Sequence, residues 1–259
     1  MKTRIIGVVA LLIGLSICSF AGTITSGVFD ISGTIYVTTA EATAVVTPAG
    51  TCAAGDQCIF WQDSNAANDE KVDISSAGLP NGDIPANISG NDAATIANLS
   101  NPPDAVGSTI SVADFMTFLN GGITTDLTLT FIEPGFYSNT DCTLAPAVGQ
   151  TCTLTGSLFN FVNNPPPIGQ ATATWVLEGT TTSGSAWTGN FTSQFPANTP
   201  FQTVFSELAA NGYVSNTFSA TFSLTPPTMS PEPGTAAMMV IGGGLVGLAS
   251  LLRRRRSTK

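Results

Sequence analysis

Histidine is absent from the chain, and positive charge is almost absent from its central part. Between Gly22 and Gly234 a single lysine, Lys71, stands against all 17 carboxylates of the sequence. Nucleic-acid binding is excluded, because Lys and Arg are needed to neutralise phosphates. Without histidine the chain lacks the usual general base near neutral pH and the commonest metal ligand, so Ser-His-Asp, Cys-His and His-rich zinc sites are excluded.

Charged residues of both signs are scarce, at 10% of the sequence, whereas apolar residues reach 43%. A chain of that composition buries enough apolar surface to fold, so disorder is not expected despite the acidity. The part between the two ends has the size of one domain of about 200 residues.

The first 21 residues have the pattern of a secretory signal peptide. A basic start, Met1 to Arg4, is followed by an apolar stretch at 5–18, and Ser19-Phe20-Ala21 offers small residues for cleavage. We expect cleavage between Ala21 and Gly22. The alternative is a permanent N-terminal anchor, but the apolar stretch is short for a membrane span.

A second apolar run, residues 235–252, has no charged side chain. As a helix it is roughly 27 Å long, enough to cross a hydrocarbon core. Arg253, Arg254, Arg255 and Arg256 follow it directly and begin a basic tail, 253–259. Arginines beside a span stay in the cytoplasm, so we expect a transmembrane helix with the acidic domain on the far side of the membrane.

A proline-rich linker, 225–234, precedes this run and contains Pro231-Glu232-Pro233. This tripeptide, then one hydrophobic helix and an arginine cluster, in a chain with a signal peptide, resembles the PEP-CTERM sorting tail of Gram-negative bacteria. The resemblance covers residues 231–256, and Ser230 stands where many members have Val. It implies recognition by a membrane peptidase called exosortase, cleavage near the motif, and delivery to the cell surface or the exopolysaccharide matrix. The catalytic groups belong to that peptidase.

Residues 22–224 predict an acidic, mainly β ectodomain, because apolar side chains recur at every second position in several segments. The segments with this alternation or a strand-like composition are 29–37, 127–131, 154–161, 171–177, 187–192 and 214–224. Their spacing predicts an antiparallel β-sandwich. Two short helices are expected within it, one at 111–119 and one beginning at Thr199-Pro200 and ending at Asn211-Gly212.

Four cysteines remain once Cys18 leaves with the signal peptide, and four allow three pairings. The neighbouring pairing, Cys52 with Cys58 and Cys142 with Cys152, closes the shortest loops and suits an exported chain. A four-cysteine metal site is the alternative, but these spacings do not match Cys-x2-Cys.

Oxygen-bearing side chains crowd two stretches, which suggests a calcium site. They are Asp63, Asn65, Asn68, Asp69, Glu70 and Asp73 in the first stretch, and Asn81, Asp83, Asn87, Asn91 and Asp92 in the second. The candidate ligands singled out are Asp63, Asn65 and Asp69. The match to an EF-hand fails, because Ala67 occupies a required oxygen position. The alternative is a polar, turn-rich stretch that binds nothing.

We expect an exported surface or extracellular-matrix protein with a structural or adhesive role, and not an enzyme. Its expected partners are an exosortase-like peptidase, the inner membrane during processing, and exopolysaccharide. No cofactor is required, although calcium is a possible ligand. The alternative is a calcium-dependent carbohydrate-binding module in which Trp61, Trp175 or Trp187 stacks on sugar, with Trp61 expected to be the most exposed. A glycoside hydrolase using Glu133, Glu178 or Glu207 is the third hypothesis.

Overall fold

The computed structural model describes residues 24–63, 70–75, 81, 82, 84, 88–119, 125–165 and 169–227. The signal peptide and its cleavage site, the sorting motif, the predicted span at 235–252 and the basic tail lie outside these residues. Across the described residues, no helix combines the length and the apolar character needed to cross a bilayer.

The described residues are mainly β-structure, as predicted. Their strands are β1 Gly27–Thr38, β2 Val45–Thr47, β3 Gly50–Cys52, β4 Gln57–Gln62, β5 Lys71–Ser75, β6 Asn81–Gly82, β7 Gly90–Ile96, β8 Leu99–Asn101, β9 Thr109–Phe118, β10 Asp126–Ile132, β11 Thr151–Cys152, β12 Asn160–Asn163, β13 Ala171–Thr181, β14 Ala186–Gln194 and β15 Tyr213–Thr225. One α-helix, α1, spans Phe201–Asn211, and a 3-10 helix spans Thr140–Thr143.

The long strands close into a single eight-stranded antiparallel barrel, so the predicted two-sheet sandwich is wrong. Neighbours follow the order β1, β15, β14, β13, β10, β9, β7 and β5, and β5 pairs with β1 again. The pairing of β10 with β13 closes the ring. A sandwich and a barrel both alternate buried and exposed residues along each strand, so alternation alone cannot separate them.

The two strands with the cleanest alternation, β1 and β15, are confirmed and pair with each other along their whole length. Gly27 lies opposite Leu224 at one end, and Thr38 lies opposite Tyr213 at the other. Phe29 and Phe222 are directly opposite each other, fully buried, with stacked rings 5.0 Å apart. Inward apolar residues of these strands therefore form the centre of the barrel core.

The helix predicted at the end of the domain is confirmed as α1. It begins after Pro200 without a side-chain cap, so Thr199 does not cap it as expected. It ends at Gly212, whose left-handed backbone (φ 76°) lets its N–H donate to the carbonyl of Leu208.

The helix predicted at 111–119 is wrong, because β9 covers nearly all of that segment. The pairing of β9 with β10 shifts register, so the five residues from Val112 to Met116 lie opposite the three from Leu127 to Leu129. A bulge of this kind places apolar residues four apart on the same strand, which imitates the spacing of a helix face.

The strand predicted at 154–161 begins later than predicted, at Asn160.

Both neighbouring disulfides are present. Cys52 of β3 is bonded to Cys58 of β4, and Cys142 of the 3-10 helix is bonded to Cys152 of β11. The two bonds are consistent with folding in an oxidising compartment outside the cytoplasm.

A small second core lies beside β1, where Tyr36 packs with Phe60 and the first disulfide. The Tyr36 hydroxyl donates to Gln62 Oε1 at 3.1 Å, and the ring of Tyr213 lies 6.2 Å away. Burial, and the electrostatic effect of Tyr213, raise the pKa of Tyr36 above its ordinary value. The hydroxyl therefore stays protonated, and remains a donor, well above neutral pH.

Candidate functional site

Three aspartates from separate strands or strand ends meet beside β1. Asp63 follows β4, Asp73 lies in the middle of β5, and Asp92 lies in β7. One carboxylate oxygen from each lies within 4.8 Å of the others. We call these three residues the aspartate cluster.

Strand pairing along one edge of β1 brings Asp63 and Asp73 together. Thr34 pairs with Gln62 and Ser32 pairs with Asp73, so the end of β4 and the middle of β5 are neighbours along β1. Gly33 lies between these two pairs, and a Cβ there would be 2.5 Å from the carbonyl oxygen of Gln62. Glycine is therefore required for the backbones to approach this closely.

A bulge in β7 directs Asp92 toward Asp73. The register between β5 and β7 shifts between Val72 and Ile74, opposite Asp92. Asp92 has a left-handed backbone (φ 54°), which is uncommon outside glycine, and its N–H donates to Asp73 Oδ1 at 3.2 Å. Bulges commonly redirect a side chain in this way.

The cluster holds more negative charge than its protein surroundings neutralise. Asp63 and Asp73 are buried, and Asp92 Oδ1 is a buried atom with no hydrogen-bond partner among the described residues. The Lys71 ammonium lies 3.8 Å from Asp92 Oδ2, but both side chains are partly exposed, so this pair is weak. Lys71 is the only cation in the chain between Gly22 and Gly234, so that part of the chain supplies at most one ammonium for three carboxylates.

Hard oxygen ligands in this arrangement suit Ca²⁺ or Mg²⁺ better than softer metals. Asp63 was singled out from the sequence, and the structure places it in the cluster. Asn65 and Asp69 lie outside the described residues. Asp73 and Asp92 belong to the two oxygen-rich stretches, yet the contact between those stretches depends on the pairing of β5 with β7 and cannot be deduced from spacing along the chain.

The tryptophans are all buried, and the prediction that Trp61 is exposed is wrong. Trp61, Trp175 and Trp187 are at most 2% exposed. Trp61 donates its indole N–H to the carbonyl of Ala97 at 3.1 Å. The polar residue that follows it, Gln62, is also buried, so a polar neighbour did not indicate exposure here. None of the three rings offers a face on which a sugar can stack.

The three glutamates considered for hydrolysis do not form a buried pair. Glu207 is exposed on α1. Glu178 lies between the buried residues Leu177 and Gly179, and Glu133 follows the buried Ile132, so alternation places both glutamates on the outer face of the barrel. Both are half-buried there, whereas a glycoside hydrolase needs two carboxylates facing each other across a cleft.

A row of hydroxyl side chains crosses the outer face of four strands and ends at the cluster. Ser32 of β1, Ser219 of β15, Thr192 of β14 and Thr174 of β13 lie opposite one another in register, and Asp73 pairs with Ser32 at the end of the row. We call the first four residues the hydroxyl row.

No protein-family model, curated protein or solved structure matches this chain.

Proposed function

We propose that the protein is exported, processed at its tail by an exosortase-like peptidase, and delivered to the cell surface or the exopolysaccharide matrix, where its role is structural or adhesive. The observation that carries the proposal is the order of sequence features: a signal peptide, then Pro231-Glu232-Pro233, an apolar run at 235–252, and four arginines. The two disulfides support folding outside the cytoplasm.

The outer face of the barrel supports contact with polysaccharide. The hydroxyl row is uncharged, Ser219 is exposed and the other three residues are half-buried, and each hydroxyl both donates and accepts hydrogen bonds, as sugar hydroxyls do. The chain carries little positive charge with which to hold an acidic polymer. A neutral or cation-bridged polysaccharide is therefore the matrix component that this surface suits.

The sorting step is tested by replacing Pro231-Glu232-Pro233 with three alanines. If the peptidase recognises this motif, the variant remains in the inner membrane with residues 235–259 attached, and the surface fraction loses it. The control replaces Pro226 and Pro227 with alanine, which changes the same linker but leaves the motif intact. Fractionation followed by immunoblotting measures both variants in a host with the peptidase. Normal processing of the triple-alanine variant would contradict the proposal.

The aspartate cluster favours a second candidate function, a calcium-dependent carbohydrate-binding module. The three aspartates each offer one carboxylate oxygen within 4.8 Å of the others, which is a spacing that a divalent cation with oxygen ligands can bridge. The cluster lies at the end of the hydroxyl row, so a cation there would be close to a sugar bound at the Ser32 end of the row. The buried tryptophans take no part in this version of the hypothesis.

Calcium is expected to raise the melting temperature of the protein. At a concentration about 100 times Kd, binding stabilises the folded state by about 2.7 kcal/mol. For a domain of this size that corresponds to a rise of about 5–10 °C. Calorimetric scans with CaCl₂ and with EDTA measure the difference.

Two substitutions separate binding at the cluster from general salt effects. Asp73→Asn is expected to abolish the calcium-dependent rise, because it replaces one carboxylate of the cluster with a neutral amide. Asp114→Asn removes the same charge from an exposed position, so the rise should remain. A calcium effect of equal size in all three proteins would exclude the cluster as the site.

A further inference from the structure

The loop between Cys142 and Cys152 exposes apolar side chains to solvent. Residues 143–149 are all exposed, and none of them is charged. Leu144 is 50% exposed and Val148 is 57% exposed, with only alanine and proline between them. We call residues 143–149 the apolar loop.

Exposed apolar side chains are concentrated around this loop. Among the residues that the structure describes, six large apolar side chains are exposed, and four of them lie within 136–154: Phe136, Leu144, Val148 and Leu154. Single exposed apolar residues are common on protein surfaces, whereas a group of them marks an interaction site. This segment is therefore the part of the described surface best suited to an apolar contact.

Side-chain hydrogen bonds hold the backbone of the apolar loop in one conformation. Gln202 of α1 donates from its amide to the carbonyl of Leu144 at 3.2 Å. The amide of Gln150 donates to the carbonyl of Ala145 at 3.0 Å and accepts from the N–H of Ala147 at 2.8 Å. A loop that is already fixed loses little conformational entropy on binding, so these exposed side chains are preorganised for a partner.

The linker that follows the barrel cannot cover the apolar loop. α1, which holds the loop, lies before the start of β15, whereas the linker leaves from the end of β15. The thirteen residues of β15 separate these points by about 40 Å along the strand, and residues 226–234 extend over about 30 Å at most. The linker therefore leaves the loop open to another molecule.

The charge around the loop indicates which kind of molecule fits. Lys71 is the only cation in residues 22–234, which contain 17 carboxylates. Asp141 lies one turn before the loop, where its carbonyl accepts from the N–H of Leu144 at 3.2 Å, and Glu207 is exposed on α1. A second copy of this chain or an anionic lipid surface would be repelled. A partner that carries positive charge beside apolar side chains is attracted by the carboxylates and covers the loop.

We propose that the apolar loop binds a cationic amphipathic peptide segment, whose apolar side chains cover Leu144 and Val148 while its lysines or arginines face Asp141 and Glu207. The interaction does not depend on the sorting tail, on calcium or on the hydroxyl row. It makes the exported domain a receptor for cationic polypeptides, in addition to its proposed contact with polysaccharide.

A synthetic helical peptide of leucine and lysine, with leucine on one face, is the probe. Two control peptides accompany it, one with glutamate in place of lysine and one with serine in place of leucine. Isothermal titration of the protein isolated from exporting cells measures the three affinities. Each control should bind at least about tenfold more weakly than the leucine-lysine peptide, because each lacks one of the two attractions. A control that binds as tightly as the leucine-lysine peptide would overturn the proposal.

Leu144→Ser should weaken binding of the leucine-lysine peptide about threefold to tenfold, because it removes about half of a leucine side chain from the contact. Leu119→Ser is the matched control. Leu119 is also 50% exposed, but it follows β9 at the end of the barrel from which the linker leaves, so its loss should not change the affinity. Equal affinities of the two variants would show that the peptide binds elsewhere on the acidic surface.

Methyl NMR provides a test that requires no variant. The signals of Leu144 and Val148 should move as the leucine-lysine peptide saturates the protein, while those of Leu119 stay in place. Absence of binding by this peptide would overturn the proposal. Movement of the loop signals with phosphatidylglycerol vesicles and not with the peptide would also overturn it, because a lipid surface would then be the partner.

Discussion

Replacing Phe191 with alanine is expected to destabilise the protein by about 3–5 kcal/mol. The side chain is 1% exposed and lies at the centre of the aromatic core. Its ring centroid is 5.1–5.9 Å from the rings of four residues: Trp61, Trp175, Phe218 and Phe222. Alanine would remove these contacts and leave a cavity among rings that cannot close around it, because each is held on a strand of the barrel wall or of β4.

Urea unfolding of the purified protein measures this loss. Phe136→Ala is the matched control, because Phe136 is 74% exposed and its loss should change the free energy of unfolding by no more than about 0.5 kcal/mol. If the two substitutions cost the same, Phe191 does not lie in a packed core and the barrel interior described above is wrong.

Substituting alanine for Gly179 is expected to cost about 3 kcal/mol, through crowding and not through backbone conformation. Gly179 lies in β13 opposite Leu129, in the pairing that closes the barrel. A Cβ at this position would overlap the carbonyl oxygen of Thr128 and approach the indole ring of Trp187 to 2.6 Å. The added methyl group would therefore force apart the two strands whose pairing distinguishes a barrel from an open sheet.

Gly149→Ala is a suitable comparison for this substitution. A Cβ there contacts nothing within 4 Å, but the residue has a φ of 76°, so the cost is conformational and about 1–2 kcal/mol. Unfolding measurements give both values, and near-ultraviolet circular dichroism reports whether the environment of Trp187 changes only in Gly179→Ala. A Gly179→Ala protein as stable as the parent would show that β10 and β13 do not pack as described.

Individual strands could be predicted from the sequence, because apolar and polar residues alternate along a strand that is buried on one face. Apolar residues recur at most second positions in Phe29 to Val37 and Val214 to Leu224, and β1 and β15 cover both segments. The error at 111–119 arose where a bulge breaks the alternation and moves apolar residues to a spacing of four. Closure of the sheet depends on the pairing of β10 with β13, about 50 residues apart, which alternation within one strand cannot reveal.

For the candidate site, the sequence predicted the types of residue that contribute oxygen ligands but not which of them meet in the fold. Asp63, Asp73 and Asp92 all lie in stretches that are rich in oxygen ligands, but the burial of Asp73 within β5, between Val72 and Ile74, could not be predicted from those stretches. Three separate strand contacts bring these residues together. The disulfides were easier to predict, because each joins cysteines that are neighbours along the chain.

The intact mass of the protein recovered from the surface or medium of its host tests the central claim most directly. The expected species begins at Gly22, ends near Pro231-Glu232-Pro233, and is about 4 Da lighter than its fully reduced form because two disulfides remove four protons with their electrons. A mass that retains residues 235–259 would contradict the account, since the tail would then be a permanent anchor and not a signal for processing.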